Sequence, residues 1–145
     1  MHRRTSQKLQ LNGGRHELFG NRIDCMQLSA ICAALTHDTN FEFLDLSHNN
    51  STPGARHGDP AAATFGDRGG EIVARLLRRN RSLRFVVLEG NAIGPQGAKD
   101  IADALCAASD ESQCSPLQLL NLANNPIGDE VSASNQCFFF SRNIG

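Results

Sequence analysis

The chain has 145 residues, a formal net charge of −1 and a pI near 6.5, so it lacks the basic surface expected of a nucleic-acid-binding or membrane-surface protein. Its length predicts one domain, and no apolar run approaches the length of a transmembrane helix. Tryptophan and tyrosine are absent, which leaves the eight phenylalanines as the aromatic candidates for an interface.

The N-terminal segment, residues 1–12, is basic and has no apolar core, so it predicts a solvated arm and not a secretory signal; a weak mitochondrial presequence is the alternative. Five cysteines without a C-x-x-C pair indicate reduced thiols, and we expect an intracellular, cytoplasmic protein. A disulfide between Cys106 and Cys114 is the less favoured interpretation.

Four asparagines each close a short apolar run, and their spacing reduces to one period. Asn21 to Asn49 is 28 residues, and the next two intervals, to Asn91 and Asn125, are 42 and 34, or one period plus insertions of 14 and 6. Such a period is typical of a solenoid, in which each repeat packs on its neighbours. Asparagine amides can satisfy backbone groups in a turn, so we expect the four to form a structural ladder.

Each asparagine predicts a strand before it and a helix after it. Apolar residues two apart, such as Val86 with Leu88, indicate a strand buried on one face. Offsets of 7, 10, 11 and 14 residues predict the buried face of each helix. These faces are Leu28, Ile31, Cys32 and Leu35; Gly70, Val73, Ala74 and Leu77; and Ala98, Ile101, Ala102 and Leu105. The same arithmetic places one insertion in a loop over residues 50–64 and the other within 106–116.

The third unit carries the full pattern, with Leu83, Val86, Leu88, Asn91 and Ile93 at the positions of L-x-x-L-x-L-x-x-N-x-I. Over residues 13–130 the chain resembles the leucine-rich repeat family, and the 28-residue unit resembles the ribonuclease-inhibitor-like subtype. The resemblance implies an α/β solenoid, a short horseshoe arc of about four repeats. Its parallel sheet would line the concave face and its helices the convex face.

Residues 131–145 do not continue the repeat, because the helix offsets after Asn125 find no apolar face and the segment instead contains Phe138, Phe139 and Phe140. We expect a truncated array followed by unrelated sequence; an atypical cap is the alternative. An uncapped last repeat would also allow self-association.

The residues six, four and two positions before each asparagine are expected to face the concave side. The first of these columns contains Phe43, Phe85 and Leu119, an apolar stripe that suggests a partner-binding site. In the first repeat the columns would begin at Arg15, Glu17 and Phe19. The predicted partner-binding set is Phe43, Asp45, Phe85, Val87, Glu89, Leu119 and Asn121. The N-terminal arm or the Phe138–Phe140 segment could instead cover the stripe.

We predict no catalytic residue, cofactor site or metal site, because the five histidines are scattered and the glycine-rich run GNAIGPQGAKD lacks a G-K-[ST] ending. Arg75, Arg78 and Arg79 lie near the end of the second predicted helix. They could bind an acidic partner, although a solvated helix end is the simpler explanation.

The expected function is therefore a non-catalytic protein–protein interaction module or scaffold that binds a protein on its concave face. The alternative is an activator of a small GTPase, since Ran GTPase-activating proteins resemble this repeat subtype. A further alternative is the ligand-sensing repeat region of an innate-immune receptor.

Overall fold

The computed structural model describes residues 6–14, 22–49, 65–106 and 115–128, in which strands and helices alternate along the chain. Each helix carries the chain from one strand to the next parallel strand, as a parallel pair requires. The elements are β1 (Gln7–Gln10), α1 (Cys25–Leu35), β2 (Phe41–Asp45), α2 (Gly66–Arg79), β3 (Phe85–Val87), α3 (Pro95–Cys106) and β4 (Leu119–Asn121).

The four strands form one parallel sheet in the order β1-β2-β3-β4. Equivalent repeat positions stand side by side, with Phe43 opposite Phe85 and Phe85 opposite Leu119. This arrangement of four parallel strands and three helices confirms the predicted fold class, a short leucine-rich repeat arc.

The first strand lies earlier in the chain than the asparagine register predicts. Gln7–Gln10 pair with β2, and the pairing continues through hydrogen bonds from Leu11 N to Asp45 O and from Gly13 N to Ser47 O. The interpretation of residues 1–12 as a solvated arm therefore does not hold for Gln7–Gln10. Leu9 and Leu11 pack against the core, which gives this segment a reason to join the sheet.

The core lies between the sheet and the helices. On the strand side it contains Leu44, Val86 and Leu120, together with the leucines two residues further along the chain, just beyond the end of each strand. The helices contribute most of the buried residues that the offsets predict, but Ile31 and Leu105 are only partly buried, and in α3 Ala102 is exposed and Ala104 is buried instead. The α3 helix begins at Pro95, and its buried residues are Gly97, Ala98, Ile101 and Ala104, a spacing of three to four residues that skips position 102.

Two glycines bring the second and third helices into close contact. A Cβ atom on Gly70 would lie 2.7 Å from the Cα atom of Gly97, so the two backbones meet without an intervening side chain. The carboxylate of Asp67, in the first turn of α2, accepts hydrogen bonds from Gly94 N at 2.8 Å and Gly97 N at 2.7 Å. One repeat thus supplies the N-terminal cap for the helix of the next.

Several predicted features lie outside the described residues: the 50–64 loop, most of the 106–116 insertion, Asn21, the row Arg15, Glu17 and Phe19, and the segment 131–145. The domain bounds drawn from the sequence stay predictions.

Candidate recognition surfaces

Three asparagines form a hydrogen-bonded ladder at the ends of the strands. Asn91 Nδ2 donates to Leu46 O at 2.9 Å and Leu88 O at 3.0 Å, and its Oδ1 accepts from Asn49 N at 2.6 Å. Asn49 and Asn125 repeat the arrangement, with Nδ2 of Asn125 donating to Leu88 O and Leu122 O. Asn91 is fully buried, so the ladder joins neighbouring repeats and does not face a partner.

In the register of the first strand, Gly14 occupies the position opposite Asn49. The pairing that places Gln10 opposite Asp45 continues with Leu11 and Gly13, and this register puts Gly14 opposite Asn49. Glycine offers no side-chain amide at this position, while Asn49 Nδ2 still donates to Leu11 O at 2.9 Å, as Asn91 Nδ2 does to Leu46 O. Asn21 lies outside the described residues, so its place in the ladder stays a prediction.

The seven residues predicted from the columns share one face of the sheet, opposite the helices, which we call the outer sheet face. All seven are half-buried, whereas the strand residues that alternate with them are buried in the core. They are Phe43, Asp45, Phe85, Val87, Glu89, Leu119 and Asn121. On β1 the register adds Lys8 beside Phe43 and Gln10 beside Asp45, in the places expected for Arg15 and Glu17.

The apolar stripe of the outer sheet face runs across neighbouring strands. The rings of Phe43 and Phe85 lie 6.4 Å apart between centroids with a tilt of 33°, within the range of favourable aromatic pairs. Leu119 stands opposite Phe85 on β4. At the other end, Lys8 Nζ lies 5.5 Å from the centroid of the Phe43 ring, a cation–π distance. The stripe is thus three apolar side chains long and is bounded on the β1 side by a cation.

Two carboxylates follow the stripe toward the ends of the strands. Asp45 Oδ1 accepts from the backbone N of Ser47 at 3.0 Å and from its hydroxyl at 2.5 Å. Glu89 accepts from Asn121 Nδ2 at 3.3 Å and from Asn124 Nδ2 at 2.8 Å. Neither carboxylate forms an ion pair within the described ranges, so neutral donors hold both negative charges in place.

The arginines of α2 lie on a different surface, among the helices. Arg75, Arg78 and Arg79 are exposed, and Arg75 forms an ion pair with Glu71 one turn earlier. The hydrogen bond from Arg75 holds the pKa of the Glu71 carboxyl below its usual range. All three arginines line a cavity between α1 and α2, separated from the outer sheet face by the core.

The cysteines of α1 are buried thiols. Cys25 Sγ lies 3.7 Å from the carbonyl oxygen of Phe65, and burial raises the pKa of Cys25. Burial also raises the pKa of Cys32 to about 12, which keeps its thiol neutral. Cys106, at the end of α3, is exposed and free, while Cys114 lies outside the described ranges.

The described ranges contain no group of three or more histidine, cysteine, aspartate or glutamate side chains that could hold a metal ion. None of the helices in these ranges is long and apolar enough to cross a membrane.

Comparison with known proteins agrees with the geometry. No curated protein sequence is significantly similar to the chain. The family model described as Leucine Rich repeat matches residues 79–102 and 113–130, which contain the third and fourth asparagines. Residues 79–130 therefore carry leucine-rich repeats of the ribonuclease-inhibitor-like type, and the parallel sheet with its asparagine ladder has the architecture of a short leucine-rich repeat arc.

Proposed function

We propose that the protein is a non-catalytic recognition module that binds a protein partner on its outer sheet face. Leucine-rich repeat domains generally bind proteins, and this face carries apolar side chains where a solvent-exposed strand normally carries polar ones. The observation that carries the proposal is the stripe of Phe43, Phe85 and Leu119 on three adjacent strands, at positions where a solvated strand normally presents polar residues.

The stripe fits an apolar side chain of the partner. Phe43 and Phe85 are half-buried, so part of each ring remains accessible although both are fixed by the sheet. A rigid aromatic anchor loses little conformational entropy on binding, and buried aromatic contacts are common among the residues that dominate binding energy.

The carboxylates add a preference for a basic side chain. Asp45 ends β2 and stands opposite Val87, the last residue of β3, and Glu89 follows Val87 by two residues. Their charges are oriented by Ser47, Asn121 and Asn124 but are not neutralised by a described cation. A lysine or arginine of the partner would supply the missing positive charge. The partner therefore combines an apolar group with a basic group a few residues away.

Replacement of Phe85 with serine separates partner binding from internal packing. We expect the variant to lose partner capture by about thirtyfold, which corresponds to the loss of one hot-spot side chain, with little change in melting temperature. The matched control is Met26→Ser, since Met26 is an apolar residue on α1 with 84% of its surface exposed, away from the outer sheet face.

The experiment compares proteins captured by the wild-type chain with those captured by the two variants, quantified by mass spectrometry. A partner lost with Phe85→Ser and retained with Met26→Ser supports the proposal. A large loss of stability in Phe85→Ser would instead assign the stripe to internal packing beneath the N-terminal segment or the Phe138–Phe140 segment.

Charge reversal tests the basic group separately. Glu89→Lys is expected to weaken capture of the same partner, while Asp103→Lys, which makes the same change of charge on α3, is expected to leave capture unchanged. Equal effects of the two variants would show that net charge, and not the position of Glu89, controls binding. The alternative of a small-GTPase activator has no separate support among the described residues and stays a prediction.

A further inference from the structure

The helices are not evenly packed. The α2 and α3 helices meet at Gly70 and Gly97 with their backbones in contact, whereas α1 and α2 leave a cavity of about 370 Å³ between them. A second cavity nearer the start of α1 shares Ser29, Ala33, Ile72 and Arg75 with the first, so the two form one continuous depression. We call this depression the α1–α2 groove.

The groove has an apolar floor and a cationic rim. Ile72 and Leu76 are buried core residues at its base, and Cys32 and Ala33 form the wall on α1. The α1 helix, CMQLSAICAAL, contains no charged residue, so it contributes no countercharge. In the 370 Å³ cavity, the rim on the α2 side consists of Arg75, Arg78 and Arg79.

The charge of the rim is one-sided in the 370 Å³ cavity, at the end of the groove near Arg78 and Arg79. The residues that line the 370 Å³ cavity include three arginines and no aspartate or glutamate. The second cavity of the groove is lined by Asp24, Arg68 and Glu71, and Glu71 pairs with Arg75, so the acidic side chains lie at that end of the groove. Neither Arg78 nor Arg79 forms an ion pair within the described residues. Guanidinium groups form paired hydrogen bonds with carboxylates, and they do so more strongly beside an apolar surface that excludes water.

We propose that the α1–α2 groove binds an acidic peptide segment of a partner protein, with an apolar side chain on the floor and carboxylates on Arg78 and Arg79. This site lies on the helix side of the molecule, so it is independent of the recognition proposed for the outer sheet face. The groove follows α1 for about three turns, roughly 15 Å, which suits a short peptide segment.

The test uses fluorescence anisotropy with a short labelled peptide in which two leucines are flanked by glutamates. A second peptide, with lysine in place of each glutamate, controls for the leucines alone. We expect saturable binding of the acidic peptide only, weakened by added salt.

Two pairs of variants locate the binding site. Arg78→Glu/Arg79→Glu is expected to weaken binding by about tenfold or more, while Arg81→Glu/Lys99→Glu, with the same change of net charge, is expected to retain it. Ala33→Phe fills the groove from an exposed position of α1, and Ala34→Phe places the same ring on the neighbouring exposed position, which does not line either cavity. Only Ala33→Phe is expected to abolish binding. Circular dichroism melting verifies that each variant folds.

Three results would overturn the proposal. The first is an equal loss of peptide binding in a groove variant and in its control, for the arginine pair or for the alanine pair, which would show that binding does not depend on the groove. Binding that appears only after residues 50–64 are replaced with a glycine–serine linker would assign the groove to a segment of the chain itself. A dimer in sedimentation velocity that Ala33→Phe dissociates and Ala34→Phe does not would assign it to a second copy.

Discussion

Replacement of the central ladder residue, Asn91→Ala, gives the most direct measure of what joins the repeats. The Asn91 side chain is fully buried and makes three hydrogen bonds, two as donor to Leu46 O and Leu88 O and one as acceptor from Asn49 N. Alanine removes all three at once and leaves no polar atom that could replace them.

The hydrogen bonds lost differ in their consequences. Leu46 O keeps a donor in Asn49 Nδ2, and Leu88 O keeps one in Asn125 Nδ2, so each carbonyl remains satisfied. The Asn49 N–H loses the Asn91 Oδ1 acceptor at a buried position. An unsatisfied buried group costs about 1–3 kcal/mol and each lost bond to a satisfied carbonyl about 0.5–1.5 kcal/mol. We therefore expect the free energy of unfolding to fall by about 3 kcal/mol.

Urea unfolding followed by circular dichroism measures the change, and Asn40→Ala is the matched control. Asn40 is exposed, and its side chain makes one hydrogen bond to Asp38, so its loss is expected to cost about 0.5 kcal/mol or less. If Asn91→Ala cost no more than Asn40→Ala, the ladder would not contribute to stability and the interpretation of the asparagines as structural would be wrong.

Three further variants test the packing, the capping and the buried thiol. Gly70→Ala is expected to destabilise the chain by about 1–3 kcal/mol, because its Cβ would lie 2.7 Å from Gly97 Cα, and a raised melting temperature would contradict the close approach. Asp67→Ala removes the acceptor for Gly94 N and Gly97 N and is expected to cost about 1 kcal/mol in thermal unfolding; Asp67→Asn, which keeps an acceptor oxygen, should recover most of it. The folded pKa of Cys32 is about 12 against an ordinary value of 9.0, so its stabilising effect is complete below pH 9 and is lost as the unfolded thiol ionises from there to pH 12. Denaturant titrations from pH 8 to 11 should show a steeper fall of stability in the wild type than in Cys32→Ala, and equal slopes would contradict the burial.

Periodicity was sufficient to predict three of the four strands and most of the core. The leucine positions around Val86 and Leu120 repeat at a fixed distance from an asparagine, and each face of a strand must be either buried or solvated as a unit. Alignment of Asn91 with Asn125 predicts that Phe85 stands beside Leu119, and the strand pairing confirms it. The contact of Lys8 with Phe43 could not be predicted in this way, because it depends on which segment pairs with β2.

The α1–α2 groove also needed the structure. The arginine run was visible in the sequence, but a helix-end cluster is compatible with simple solvation. What the sequence does not contain is the spacing between helices, which depends on the side chains at the crossing. Glycine at positions 70 and 97 lets α2 and α3 touch, whereas the α1–α2 contact leaves a cavity above Ile72 and Leu76.

The first strand lies earlier in the chain than the asparagine period predicts, and the physical reason follows from its pairing with β2. Leu18, Asn21 and Ile23 match the ending of a repeat, and the helix offsets counted from Asn21 do find the buried residues Leu28, Cys32 and Leu35. The first strand, however, ends at Gln10, and its register places Gly14 at the position equivalent to the other asparagines, seven residues before Asn21. A strand and its helix are separate packing units joined by a loop, and a loop tolerates insertion without disturbing either. The repeat pattern at Asn21 therefore predicted the position of the helix but not that of the strand. The strand is indicated instead by Leu9 and Leu11, two residues apart, which both pack against the core.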